Sequence, residues 1–129
     1  MKTYLQLIAI GLALALVAIF VFGLAPRVVA LQLYALLLAY TACFYAGAAL
    51  SEGRPAWLSI EVGVSAIVFG CAFLGLWQSS RWLALGYVLH GMWDLCHHSR
   101  GIRTRVVDWF PPICATFDFA VAIFILVWY

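Results

Sequence analysis

Residues 3–24 read TYLQLIAIGLALALVAIFVFGL. Thr3, Tyr4 and Gln6 are its only polar side chains, all at the start. One helical crossing of a bilayer takes roughly 17–25 predominantly apolar residues, so this run is long enough to span as a single helix. Ala25-Pro26-Arg27 ends it, because a proline pushes the residue before it out of the helical region. Working outward, four more apolar runs follow, at 28–50, 57–78, 82–98 and 113–129. Ser51-Glu52-Gly53-Arg54-Pro55 separates the second from the third, and Ser79-Ser80-Arg81 the third from the fourth. Residues 99–110 form the longest polar stretch, and Pro111-Pro112 then opens the last run, as proline does in a first helical turn.

The pattern predicts an all-α polytopic membrane protein: one transmembrane domain, 1–129, with five transmembrane helices at about 3–24, 28–50, 57–78, 82–98 and 113–129. Short connections favour an antiparallel bundle. Helices satisfy their own backbone polar groups, which lipid cannot do. The alternating ten-residue segments of a β-barrel are not seen. The first run is longer than the roughly 7–15 residues of a signal-peptide core, so it is expected to be a retained helix.

Composition agrees. Of 129 residues, 67% are hydrophobic and 9% charged, against about 45–50% and 25% in soluble domains. Mean hydropathy is +1.09. So few charges cannot cover a water-facing surface. This excludes a cytosolic domain, a disordered chain and a nucleic-acid binder, the last because the net charge of +2 comes with no basic block to track phosphates. The four cysteines, Cys43, Cys71, Cys96 and Cys114, have no C-x-x-C spacing and read as packing residues.

Lys and Arg set the expected orientation. With five helices, Lys2, Arg54, Arg100, Arg103 and Arg105 fall on one side, and Arg27 and Arg81 on the other. The N-terminus and the arginine-bearing loop are therefore expected in the cytoplasm. Trp57, Trp77, Trp82, Trp109 and Trp128 fall at expected helix ends, as an aromatic belt does; Trp93 stands apart, beside Asp94 inside the fourth run.

Ionisable groups inside a membrane cost roughly 2.5–3.5 kcal/mol each even on lenient scales, so each needs a partner or a wet cavity. The fourth run carries His90, Asp94, His97 and His98. At 3.6 residues per turn these four share an arc of about 100°. Asp94 is three residues from His97 and four from His98, both neighbour spacings on a helix. Carboxylate-x-x-His is also the ligand spacing of di-metal bundles. Glu61 lies about 6 Å, and Asp118 about 8 Å, into their runs from the same side as Asp94, which lies about 6 Å in. The expectation is one polar layer of Glu61, Asp94 and Asp118, with His97 and His98 just below and His90 just above.

Such a layer holds protons on its acids, binds a cation, or is neutralised by arginines snorkelling from the 99–112 loop. Imidazole with carboxylate suits Zn, Fe or Mn. Glu61, Asp94, His97, His98 and Asp118 are the candidate metal ligands. His90 is the candidate general acid/base or a further ligand. Tyr34, Tyr40 and Tyr45 could lend hydroxyls to a cavity, though packing explains them as well. Gly63, Gly70 and Gly75, with Ser59, Ser65 and Ala66, suggest a small-residue packing face. Glu52 and Asp108 read as solvated loop acids.

H-x3-D-x2-H-H (His90, Asp94, His97, His98) followed by W-x-P-P-x-C-x3-D (Trp109, Pro111, Pro112, Cys114, Asp118) resembles a family of small bacterial membrane proteins of unknown function, mainly over 86–120. The D-x-x-H-H piece is also distantly similar to the H-x-x-H-H boxes of membrane hydroxylases, which carry many more histidines than the three here. The leading expectation is a multi-pass inner-membrane protein, in contact with the lipid bilayer, with a metal-dependent site near the cytoplasmic leaflet and a lipid-like or other hydrophobic substrate. A non-enzymatic accessory subunit of a complex and a proton-coupled small transporter, acting as a homo-oligomer, are the alternatives. On this topology a reporter fused after Tyr129 should read as periplasmic and one inserted in the 99–110 loop as cytoplasmic. Cytoplasmic signals from both would remove the five-helix topology and the common depth of the acids.

Overall fold

A computed structural model describes residues 3–53, 55–98 and 104–129. It contains five helices: α1 (Tyr4–Gly23), α2 (Arg27–Glu52), α3 (Pro55–Trp77), α4 (Ser80–His98) and α5 (Phe110–Trp128). Lys2, Arg54, Arg100 and Arg103, four of the residues behind the expected orientation, lie outside the described residues.

Local chemistry sets the ends. The Thr3 amide donates to Gln6 Oε1 at 2.9 Å, satisfying a donor at the start of α1. Gly53 closes α2 in the left-handed region, at φ 66°, with its amide bonded to the Leu50 carbonyl; glycine adopts this conformation without the Cβ clash. α3 and α5 begin earlier than the apolar runs suggest. Pro55 and the Pro111-Pro112 pair lie inside their first turns, where a missing amide hydrogen costs nothing. The Arg81 amide reaches Ser79 Oγ, which helps start α4 two residues ahead of its apolar run.

Four helices, α1, α2, α3 and α5, are long and apolar enough to cross a membrane. The fourth run was expected to span as well; α4 carries Arg81, His90, Asp94, His97 and His98 and falls outside that group. Its inward face carries His90, Asp94 and His97, while Leu85, Met92 and Leu95 are exposed on the other side. α4 packs most extensively on α5, then on α3, and touches α2. α1 lies on the outer side of α5 and only brushes α2. The Arg27 side chain at the start of α2 donates to the Tyr129 carbonyl after α5, and the ring of Phe110 at the start of α5 lies 6.2 Å from that of Tyr45 on α2.

The apolar core fills the half of the protein that holds the α1–α2 connection. Tyr34, Leu38, Leu83, Tyr87, Val121 and Ile125 are fully enclosed there, among buried alanines such as Ala15, Ala35, Ala72 and Ala122. The Tyr87 hydroxyl donates to the Tyr34 carbonyl at 2.8 Å, so this buried phenol is satisfied. The expected small-residue face of α3 is used only in part. Gly63 and Gly70 have open space beside them, whereas a Cβ on Gly75 would lie 2.6 Å from Leu83 Cβ and 2.9 Å from Leu83 N. Backbone on that side cannot yield as a flexible side chain can. Gly75→Ala should therefore cost about 1–3 kcal/mol by overpacking, read as a lowered midpoint of thermal unfolding in detergent. An unchanged midpoint would show that the α3–α4 contact is looser than drawn.

Candidate functional site

The other half of the bundle is polar inside. His90, Asp94 and His97 face inward from α4 with 2%, 0% and 6% exposure; Glu61 on α3 and Asp118 on α5 have 1% each. These groups form two clusters, not one layer.

The first cluster joins α4, α5 and α2. His90 Nδ1 and Asp118 Oδ2 are 2.6 Å apart. The same nitrogen is 3.6 Å from Asp94 Oδ2. Asp94 Oδ1 accepts a hydrogen bond from the Tyr45 hydroxyl. His90, Asp94 and Asp118 each offer a ligand atom, all within 4.8 Å of one another, and this buried group could hold a metal ion. Two buried polar atoms in it, Asp94 Oδ2 and His90 Nε2, have no hydrogen-bond partner among the described residues. From α2, the Tyr45 ring lies 6.2 Å from the His90 ring, and the Thr41 backbone is also near His90. Close approach of α5 makes the cluster possible: a Cβ on Gly91 would lie 3.2 Å from Asp118 Cβ and 3.3 Å from the Phe119 ring.

The second cluster is closed. Glu61 Oε2 accepts the Trp93 indole N–H at 2.9 Å, and Oε1 accepts the Thr104 hydroxyl at 2.7 Å. His97 Nε2 lies 3.0 Å from the same Oε1. His97 Nδ1 lies 2.9 Å from the Trp93 carbonyl, which only accepts, so Nδ1 carries the hydrogen. Nε2 and Glu61 then share a single proton between them. Three partners take three of the roughly four acceptor sites of the Glu61 carboxylate, both of those on Oε1 among them. The Tyr45 ring stacks on His97, centroids 3.7 Å apart and planes 15° apart, so one tyrosine touches both clusters.

Of the six residues singled out in the sequence, the structure brings His90, Asp94 and Asp118 together, and Glu61 with His97. It brings His98 to neither cluster; its ring lies 5.4 Å from that of Tyr4 on α1, and it is exposed. Neutralisation by loop arginines was the other expectation. Among the described residues the ion-pair partners of Glu61, Asp94 and Asp118 are histidines alone, while Arg100 and Arg103 lie outside the description. Glu52, read as a solvated acid, accepts the Arg105 amide. Three partners were missed as site residues. Tyr45 was one of three candidate tyrosines; Tyr40 is exposed, and the buried hydroxyl of Tyr34 has no hydrogen-bond partner among the described residues. Trp93 was flagged by its place away from the helix ends. Thr104, in the loop, gave no signal.

Fold and site together define a small all-helical protein with apolar outer helices around a buried histidine–carboxylate centre. The chain belongs to a family of unknown function, DUF6010, which it matches over residues 5–128. No curated protein and no solved structure matches it.

The closed cluster makes a stability prediction. Removing one member of a buried, hydrogen-bonded ion pair leaves the other uncompensated, at about 3–5 kcal/mol. Glu61→Leu and His97→Phe should each destabilise the protein by about that amount in detergent unfolding, and the double variant should cost less than the sum. Additive losses would mean that the two side chains are not coupled.

Proposed function

We propose that this protein is a bacterial inner-membrane protein. It crosses the bilayer as an antiparallel five-helix bundle with its N-terminus in the cytoplasm, and its His90/Asp94/Asp118 centre binds one divalent cation, Zn, Fe or Mn, for chemistry on a hydrophobic substrate. Large apolar side chains exposed on the outer helices, such as Leu5, Phe20, Phe69 and Val127, support the membrane setting, since water-soluble monomers rarely expose such continuous apolar surface. α4 crosses as well on this reading, its polar side enclosed by α3, α5 and α2. The Arg27–Tyr129 and Tyr45–Phe110 contacts support α2 and α5 running in opposite directions.

The observation that carries the reading is Asp94 Oδ2, which has no hydrogen-bond partner among the described residues and lies 3.6 Å from the His90 imidazole beside a second carboxylate, all buried. Charge arithmetic favours a cation. Two ionised carboxylates and a neutral imidazole sum to −2, which one divalent ion cancels. His90 Nδ1, Asp94 Oδ2 and Asp118 Oδ2 would be its protein ligands. The 2.6 Å contact between His90 and Asp118 is a hydrogen-bond spacing; ligand atoms at about 2.0–2.2 Å from a shared ion stand further apart, so the Asp118 carboxylate would turn slightly. A bound divalent ion acts as a Lewis acid or makes hydroxide from water near neutral pH. Tyr45 would hold the Asp94 carboxylate in orientation, as groups behind ligands do. Glu61 and His97 belong to the closed cluster, and we assign them to the scaffold.

The same net charge can instead be cancelled by two retained protons, and the short His90–Asp118 contact, where one of them would sit, favours that second reading, a proton-bearing network of the kind transporters use. Metal content separates the two. Elemental analysis of purified protein should give about one Zn, Fe or Mn per chain, and Asp94→Asn should remove most of it while the protein still inserts. The ion should also raise the unfolding midpoint, by about 2.7 kcal/mol of stability at a hundredfold excess over its Kd. Protein without stoichiometric metal, and no stabilisation by any of the three ions, would leave the proton network in its place.

A further inference from the structure

A cleft of about 890 Å³ lies between α1 and α5, reaching His98 at the end of α4 and Asp108 and Trp109 before α5. Its body is apolar: Leu7, Ile10 and Leu14 on one wall, Ile113 on the other. Its polar groups gather at one end, where His98, Asp108, Trp109 and Tyr4 surround the opening. Cys114 forms part of its lining, one helical turn before Asp118 on α5, so the cleft and the histidine–carboxylate centre draw on neighbouring turns of the same helix. His98, which joins neither buried cluster, has its place here.

We propose that this cleft binds a single-chain amphiphile, its head at His98 and Asp108 and its alkyl chain along Leu7, Ile10 and Leu14. The split of polar and apolar lining is complementary to a molecule with one polar end. Leu7 to Leu14 is seven residues, about 10 Å of helix, enough for an extended stretch of chain. The volume lies within the roughly 300–1,000 Å³ of small-molecule pockets, and the cleft has one line of apolar residues on α1 for one chain. His98 and Asp108 offer a donor and an acceptor to a hydroxyl or carboxyl head. Trp109 and Tyr4 are amphipathic rings suited to the level where a head group sits. In this pose the first few carbons pass Cys114, one helical turn before Asp118. The substrate class proposed above is thereby narrowed; what happens to the ligand rests on that reading, but binding itself does not.

The test is photolabelling of the full chain in detergent with a diazirine-bearing long-chain alcohol, with labelled sites mapped by peptide mass. Label should concentrate on Leu7, Ile10 and Ile113 and be competed by unlabelled alcohol or by the matching fatty acid, whichever head the mouth prefers. Ile10→Trp, which fills the cleft, should reduce that labelling about tenfold, the effect of a 1.4 kcal/mol loss of affinity. Ile10→Phe serves as a smaller block if the tryptophan variant does not fold, and Val62→Trp on the outer face of α3 should change nothing. Even labelling of all exposed apolar faces without competition would overturn the proposal, since ordinary surrounding lipid behaves so. Equal competition by a diacyl phospholipid, or undiminished labelling in the filled variants, would also overturn it. Asp94→Asn should label like the wild type. Competable labelling in a protein that binds no metal leaves the cleft standing and removes the metal; a metalloprotein without it does the reverse.

Discussion

A carboxylate taken out of water must find hydrogen-bond donors or a cation, at a cost of several kcal/mol if it does not. Three such groups lie inside this bundle, and the arrangement of helices around α4 follows from how each is met. Asp118 reaches His90 only because Gly91 lets α5 come against α4. Tyr45 extends from α2 to Asp94. Glu61 draws α3, the Trp93 indole and the Thr104 hydroxyl to one point, and so ties the loop before α5 to the middle of the structure. The Arg105 amide on Glu52 adds a second tie to the same segment. α1 alone sends nothing into these clusters.

Much of this was legible in the sequence, for a definite reason. Helix number depends on the length of apolar runs and on the breaks at Pro26, Gly53, Ser79 and Pro111, which are local features. Rise per residue is fixed, so the sequence could also place Glu61, Asp94 and Asp118 toward one end of their helices, and all three are buried in the polar half of the bundle. Rotation about each helix axis was not. His97 and His98 are neighbours in sequence, yet one is stacked on Tyr45 and the other faces α1. That difference is set by which helix packs on which side of α4, and no single-helix periodicity contains it. For the same reason Glu61 met His97 and not Asp94. Thr104 was invisible because a hydroxyl in a loop takes its role only from a distant carboxylate.

The two clusters differ in how completely their polar atoms are used. At Glu61 both oxygens are occupied and His97 has both nitrogens engaged, which is the condition under which a buried ion pair holds structure together. At Asp94 one oxygen is bonded to Tyr45 and the other is not. Incomplete satisfaction is what a protein retains where another species must bind, because a group already spent on its neighbours has nothing to offer. The contrast separates the two clusters more clearly than the residue types do, since both are built from the same kinds of side chain.

Position reinforces that division. Tyr34, Tyr87, Leu38 and Leu83 fill the far half of the bundle, and the Tyr87–Tyr34 hydrogen bond locks two of them together. Every candidate ligand sits on a helix anchored in that packed half, which is the arrangement that holds side-chain geometry most tightly. α1 then has a different relation to the rest. Its close contact with α5 is at Gly11, where a Cβ would lie 2.5 Å from the Ile113 carbonyl oxygen. A helix touching its neighbour through a glycine, and carrying no ligand, can form one wall of a cleft without disturbing the centre behind the other wall. The division of the chain into four helices that build the polar interior and one that packs outside it on α5 follows from where the buried charges lie.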